Sequence, residues 1–251
     1  MSNRKDLETG RLIFTCNCGF VDTGHANPKG PKALWDTIVG EKSLSDNVVK
    51  WDHRGRVNCH HTIEGQPCFL IKYRQASGIG PIKLGYDAQY LIRRGLPVAR
   101  KKEIALRIFM DVSLGYERLQ ASWPFRWITD SGFSVEDLVS NLISFHRAVD
   151  GHTWPEMLKQ CGQVSTAAAQ KVFDASFGKE GIGGHKITEF FKPELRPCDE
   201  CKDQQKFPEL LTRIVPAQLN TGDFIWLPPI SPNFWLQRKS VDFTRDGREK
   251  H

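Results

Sequence analysis

Ser131-Gly132-Phe133-Ser134-Val135-Glu136-Asp137-Leu138-Val139-Ser140-Asn141 reads as the entry to a buried helix with a polar first turn. Ser134 stands where an N-cap belongs, and Asp137 three residues on completes an S-x-x-D pattern close to a capping box. Leu138, Leu142, Phe145 and Val149 then recur at i, i+4, i+7 and i+11, an apolar stripe of helical period. A helix start carries free backbone N–H groups and the positive end of the macrodipole, so it favours negative charge. Ser134 is thereby expected either to cap the helix or to present a nucleophilic hydroxyl at its N-terminus.

Outward from this helix, the chain alternates short apolar runs with helical stripes. Upstream, Ala105, Ile108, Phe109, Val112, Tyr116 and Leu119 predict a long helix from about residue 101 to 120. Before it, Cys68–Tyr73 and Ile82–Arg93 read as two strands of an antiparallel hairpin, with Ser77-Gly78-Ile79-Gly80-Pro81 as the turn. Residues 41–66 are polar and read as a long loop. Arg11–Cys16 reads as a buried strand leading into Cys16-Asn17-Cys18-Gly19-Phe20-Val21-Asp22-Thr23-Gly24-His25, where two glycines turn the chain tightly around His25. Gly30-Pro31 opens a short helix that Gly40 ends.

Downstream, Thr153 with Pro155 marks another helix start, and residues 165–177 read as a further helix. Gly181-Ile182-Gly183-Gly184-His185 reads as a hinge; no strand precedes it and no Lys-Ser/Thr follows, so it is not a phosphate loop. Pro208–Ile214 suggests a short helical piece, while Phe224–Pro229 and Phe234–Leu236 read as aromatic anchors of an irregular tail. The expectation is an α+β fold: a small antiparallel sheet packed with several helices. Residues 1–150 would form the core carrying the site. Residues 151–251 would form a helical and Pro-rich extension packed on it.

Composition bounds the function only broadly. The 251 residues are 39% hydrophobic and 25% charged, as in an ordinary globular protein with a sizeable core. A net charge of +6 and a pI near 8.9 favour an anionic polymer, peptide or lipid as partner. No specific nucleic-acid motif accompanies the cluster Arg93, Arg94, Arg100, Lys101 and Lys102. No apolar run is long enough to cross a membrane. The polar N-terminus lacks the core of a signal peptide, which points to a chain that is cytoplasmic as synthesised and leaves export without a cleaved signal open.

In such a chain the seven cysteines are expected as reduced thiols or metal ligands rather than a disulfide framework. Cys198-x-x-Cys201 has knuckle spacing and Cys16-x-Cys18 a tighter one, so these four are the candidate ligands of a structural zinc.

Two segments carry a resemblance. Cys16–His25 (C-x-C-G-F-V-D-T-G-H) and Ser131–Asn141 (S-G-F-S-V-E-D-L-V-S-N) resemble the two signatures of an uncharacterised bacterial domain-of-unknown-function family, G-F-I-D-x-A-H and F-S-x-E-D-L-x-S-N. The resemblance covers roughly residues 11–150. Where members often show Trp-His-Glu late in the long helix, this chain has Gly115-Tyr116-Glu117, keeping the glutamate alone. A weaker, architectural resemblance is to circularly permuted papain-like hydrolases of the NlpC type. There the corresponding helix begins Tyr-Cys-Ser-Glu-Leu; here the run is Phe133-Ser134-Val135-Glu136-Asp137-Leu138.

What this resemblance implies is a hydrolase or acyl-transfer enzyme acting on an amide or ester bond of bacterial cell wall or lipid. Ser134 would attack, with His25 as base and Asp22 or another acid orienting it, and no cofactor would be required. Two alternatives stand beside it. A His with carboxylates can hold a catalytic divalent cation, which gives a metal-dependent hydrolase built on His25, Glu117 and Glu136 or Asp137. A non-enzymatic binding protein on the same fold is the third.

Overall fold

The computed structural model describes residues 2–43, 62–79, 82–121, 135–178, 181–182, 191–201 and 206–227. Ser134, most of the loop expected at 41–66, the end of the Gly-rich hinge and the aromatic pair Phe234-Trp235 lie outside them. Among the described residues the fold is mixed α+β, with six α-helices and two antiparallel sheets. None of these helices is long and apolar enough to cross a membrane. The residues gather into two compact units that interleave along the chain and do not divide at residue 150. One draws on residues 2–32 and 120–215, the other on residues 33–119 and 216–227.

The first unit starts with α1 (Arg4–Glu8), capped by Asn3 and Asp6 in a reciprocal capping box. β1 (Leu12–Thr15) and β2 (Gly19–Asp22) form a hairpin in which Leu12 faces Asp22 and Thr15 faces Gly19. Every residue of β2 is buried, because α4 (Val135–Asp150) covers it. Gly19 is required at the turn: its φ is +68°, and a Cβ there would stand 2.7 Å from the carbonyl oxygen of Glu194.

α5 (Trp154–Cys161) opens on the expected Thr153 cap, which exchanges hydrogen bonds with Glu156, and closes on Gly162 in the left-handed conformation. α6 (Thr166–Phe177) opens on Ser165. It packs Ala169, Val172 and Phe173 against Leu7, Leu12, Phe14 and Phe20. Phe20 is the hub, with its ring 4.8 Å from Phe14 and 5.9 Å, edge-on, from Phe173. Each such aromatic contributes about 1.5–3 kcal/mol by leaving water.

The second unit holds a four-stranded sheet in the order β3 (Thr62–Ile63), β4 (Gln66–Ile79), β5 (Ile82–Arg93), β6 (Phe224–Leu227). The β4–β5 ladder runs from Cys68↔Arg93 to Ile79↔Ile82. Ser77, Gly78 and Ile79, expected in the turn, therefore belong to the strand. β6 is a second correction: Phe224–Leu227 is not an irregular anchor but an edge strand paired with Gln89–Ile92. Phe224 stacks on Tyr90 with ring centroids 5.4 Å apart.

α2 (Lys29–Val39) and α3 (Val98–Ala121) complete the described helices. All six stripe residues expected on α3 are buried, and so are Arg107 and Asp111 on another of its faces. These two pair at 3.0 Å, and Tyr90 donates its hydroxyl to the same Asp111 oxygen at 3.3 Å. The pairing offsets the cost of burying charge. The short helical piece expected near Pro208 is a 3₁₀ turn, Glu209–Leu211, in the first unit.

Candidate metal centre

Asp22 ends β2, and its surroundings hold it rigidly. Its backbone N–H donates to Ser140 Oγ at 2.8 Å, and the Ser140 hydroxyl in turn donates to the carbonyl of Glu136. Strand end and helix α4 are thus tied through one buried serine. The Asp22 side chain folds forward over the next turn: Oδ1 accepts the backbone N–H of Gly24 at 2.7 Å and of His25 at 3.2 Å. This is how an aspartate builds a turn on its own backbone. A Cβ on Gly24 would lie 3.0 Å from that same oxygen, so the position suits glycine. Arg11 Nε stands 3.6 Å from Oδ2, its own side chain largely in solvent.

The turn delivers His25 to the first turn of α4. Its Nε2 lies 3.7 Å from Oδ1 of Asp137. The His25 side chain is 38% exposed and that of Asp137 is 12% exposed, so the imidazole forms the accessible side and the carboxylates the floor. Burial pushes the Asp137 carboxyl up, and the neighbouring Asp22 charge adds to this, while His25 opposes it. The helix start itself favours the charged form.

Asp22, His25 and Asp137 each offer one donor atom, and these atoms all lie within 4.8 Å of one another. The 3.7 Å between His25 Nε2 and Asp137 Oδ1 is short enough for both to hold one divalent cation. One imidazole and two carboxylates suit Zn²⁺, Mn²⁺ or Fe²⁺ and leave positions open for water or substrate.

No protein-family model, no curated protein and no solved structure matches this chain.

Of the six residues expected at a catalytic site, the structure thus brings three together. Glu136, next in sequence to Asp137, is buried along a different direction: it lines a small pocket with Phe20, Phe177, Ile182, Glu194 and Arg196. Glu117 is buried on α3 and belongs to the other compact unit. Ser134 lies outside the described residues; α4 begins at the residue after it.

Ser140 and Arg11 are members of the site that sequence reading did not single out. Ser140 had a signal. Asp137, Ser140, Asn141 and Ser144 recur at i, i+3, i+4 and i+7, a polar stripe on a helix whose other face is apolar, and all four are buried.

The cysteines depart from expectation. Cys16 and Cys201, read as reduced thiols or zinc ligands, are joined in a disulfide across 185 residues of sequence, so in this state neither offers a thiolate to a metal. Cys18 is buried against Cys161 instead of facing the Cys198-x-x-Cys201 segment. Cys198 is a free thiol packed against the Phe14–Phe173 core. The spacing pairs each cysteine with its sequence neighbour; the fold sets Cys16 and Cys18 of the β1–β2 turn against Cys201 and Cys161 from distant segments.

Proposed function

We propose that this protein is a metal-dependent hydrolase with a divalent cation held by Asp22, His25 and Asp137. The observation that carries the reading is the convergence of three donors from β2, the following turn and α4. Two of the three are carboxylates shielded from water at short range. Such a pair repels itself unless a positive charge lies between or beside it. Arg11 stands beside Asp22, but its side chain is 64% exposed and its charge is screened accordingly.

A divalent cation held by Asp22, His25 and Asp137 would supply Lewis acidity and would lower the pKa of a water toward neutrality. The chain's own residues do the rest. The Asp22 turn and Ser140 fix two ligands before metal binds, and the partly exposed His25 leaves one side open to a substrate carrying an ester or amide carbonyl. The basic overall charge draws in anionic substrates.

The His25–Asp137 contact also supports a second reading. A histidine held by an acid is the arrangement of an oriented general base, and Ser134 immediately precedes α4. One experiment separates the two. Hydrolysis of chromogenic esters and amides is measured on chelator-stripped protein, on protein given Mn²⁺ or Zn²⁺, and on Ser134→Ala. Activity that falls with the chelator, returns with the ion and survives Ser134→Ala supports the metalloenzyme. Activity indifferent to chelator and lost in Ser134→Ala transfers the assignment to the serine.

A further inference from the structure

The Cys16-x-Cys18 turn sends its two sulfurs to different partners. Cys16 is bonded to Cys201. Cys18 and Cys161 are free thiols whose Sγ atoms lie 2.7 Å apart, well inside the ordinary non-bonded separation of about 3.5–4.0 Å. Both are buried, at 1% and 2% exposure.

Backbone pairing on both sides of the sulfurs fixes this approach. Asn17 N–H donates to the Cys161 carbonyl and Cys16 N–H to the Gly162 carbonyl, both at 2.8 Å. Thr15 bridges to Gln163, and Val164 N–H reaches Phe14 O at 3.2 Å. Cys18 itself is held by its N–H to Thr15 Oγ1 at 3.1 Å, and that hydroxyl donates to Gly19 O at 3.0 Å. Gly162 makes room: it turns at φ +72°, and a Cβ there would touch Cys16 Cβ at 3.4 Å.

We infer that Cys18 and Cys161 are a preorganised dithiol that closes into a second disulfide, tying the β1–β2 turn to the C-terminus of α5 beside the Cys16–Cys201 bridge. The oxidant is a small-molecule disulfide such as oxidised glutathione. Each thiol loses its proton, one sulfur–sulfur bond forms between Cys18 and Cys161, and the oxidant's own sulfur–sulfur bond breaks. Two electrons pass to it and two small thiols leave. Burial pushes the Cys18 thiol well above its ordinary range, so the step proceeds through transient opening, and the closed bridge is shielded from reduction.

Tryptic mapping tests this on the full-length protein. The protein is reduced, equilibrated in glutathione buffers from reducing to oxidising with and without a chelator, then denatured and alkylated with iodoacetamide. Trypsin places Cys16 and Cys18 together in residues 12–29, Cys161 in 160–171, and Cys198 with Cys201 in 187–202. The expected oxidised product is a three-peptide species joining all three, with Cys59, Cys68 and Cys198 alkylated. In Cys161→Ser it collapses to a two-peptide species with Cys18 alkylated. The inference is overturned if wild-type protein under full oxidation yields only the two-peptide species with Cys18 and Cys161 both alkylated. It is equally overturned if the two thiols are protected only while zinc is present and become alkylated once the chelator removes it, which would make them metal ligands.

Discussion

The Nε2 of His25 and the Oδ1 of Asp137 lie 3.7 Å apart, although 111 residues separate them in sequence. Neither side chain reaches the other by accident. His25 is set by the turn that Asp22 caps, Asp137 by the first turn of α4, and Ser140 ties the two elements together. A site assembled this way has supports that can be removed without touching a ligand.

Ser140→Ala is the first of these. It leaves the buried N–H of Asp22 without its acceptor, and a buried donor left unsatisfied costs about 1–3 kcal/mol. Loosening a supporting group of this kind weakens metal affinity by about tenfold or more. Urea unfolding and Mn²⁺ titration of the variant should show both losses, while Ser140→Thr should retain most of the affinity. Unchanged Mn²⁺ affinity in the alanine variant would remove Ser140 from the account of the site.

The Cys16–Cys201 bridge should carry a measurable share of the stability of its unit. Closing so long a loop constrains the unfolded chain strongly, and removal of such bridges typically costs about 2–5 kcal/mol. A Cys16→Ser/Cys201→Ser double variant should unfold at lower urea than wild type, with the difference vanishing when both proteins are measured in excess dithiothreitol.

His146 gives a pH signature. It is fully buried, with Nδ1 2.8 Å from Asp150 Oδ2, and Arg213 holds that same oxygen at 2.9 Å. Burial depresses the His146 pKa below its ordinary 6.5, against the pull of Asp150. The unfolded chain therefore binds a proton at His146 that the folded chain resists. This contribution to stability is complete above about pH 6.5 and is lost as pH falls below it, by at most about 1.4 kcal/mol per pH unit. Urea midpoints between pH 7.5 and 5 should fall more steeply for wild type than for His146→Gln, whose side chain does not titrate. Parallel slopes would show that His146 is not the titrating group.

Gly115 lies mid-helix in α3, where alanine ordinarily gains about 1 kcal/mol. Here a Cβ would fall inside the van der Waals space of the buried Tyr86 ring. Overpacking of that kind costs about 1–3 kcal/mol, so the clash outweighs the propensity. Gly115→Ala is expected to lower the thermal midpoint, and a rise would mean that Tyr86 gives way freely.

Much of the helical framework was legible. The α4 stripe, the Thr153 and Ser165 starts and the buried face of α3 are local patterns, and local patterns survive in the fold. β6 was not legible, because four apolar residues in a Pro-rich stretch carry no periodicity of their own; pairing with β5 makes them a strand. Ser77 and Gly78 looked like a turn for the same reason, and the ladder opposite Lys83 and Leu84 overrides their weak strand preference.

At the site, Asp22, His25 and Asp137 were named from chemistry and from two signature segments. Their meeting depends on β2 packing against α4, a long-range relationship that no single segment encodes. The Cys16–Cys201 pairing is of the same kind: spacing shows which cysteines are close in sequence, and only the fold shows which are close in space.

The most direct measurement is binding of Mn²⁺, which thiolates compete for poorly, to chelator-stripped full-length protein. Calorimetry and metal analysis would be run on wild type, His25→Ala and Asp137→Asn side by side. The account predicts a single Mn²⁺ per wild-type chain and at least a tenfold loss of affinity in each variant with the fold retained. Wild-type protein that takes up no Mn²⁺, or variants that bind it as wild type does, would contradict the metal centre.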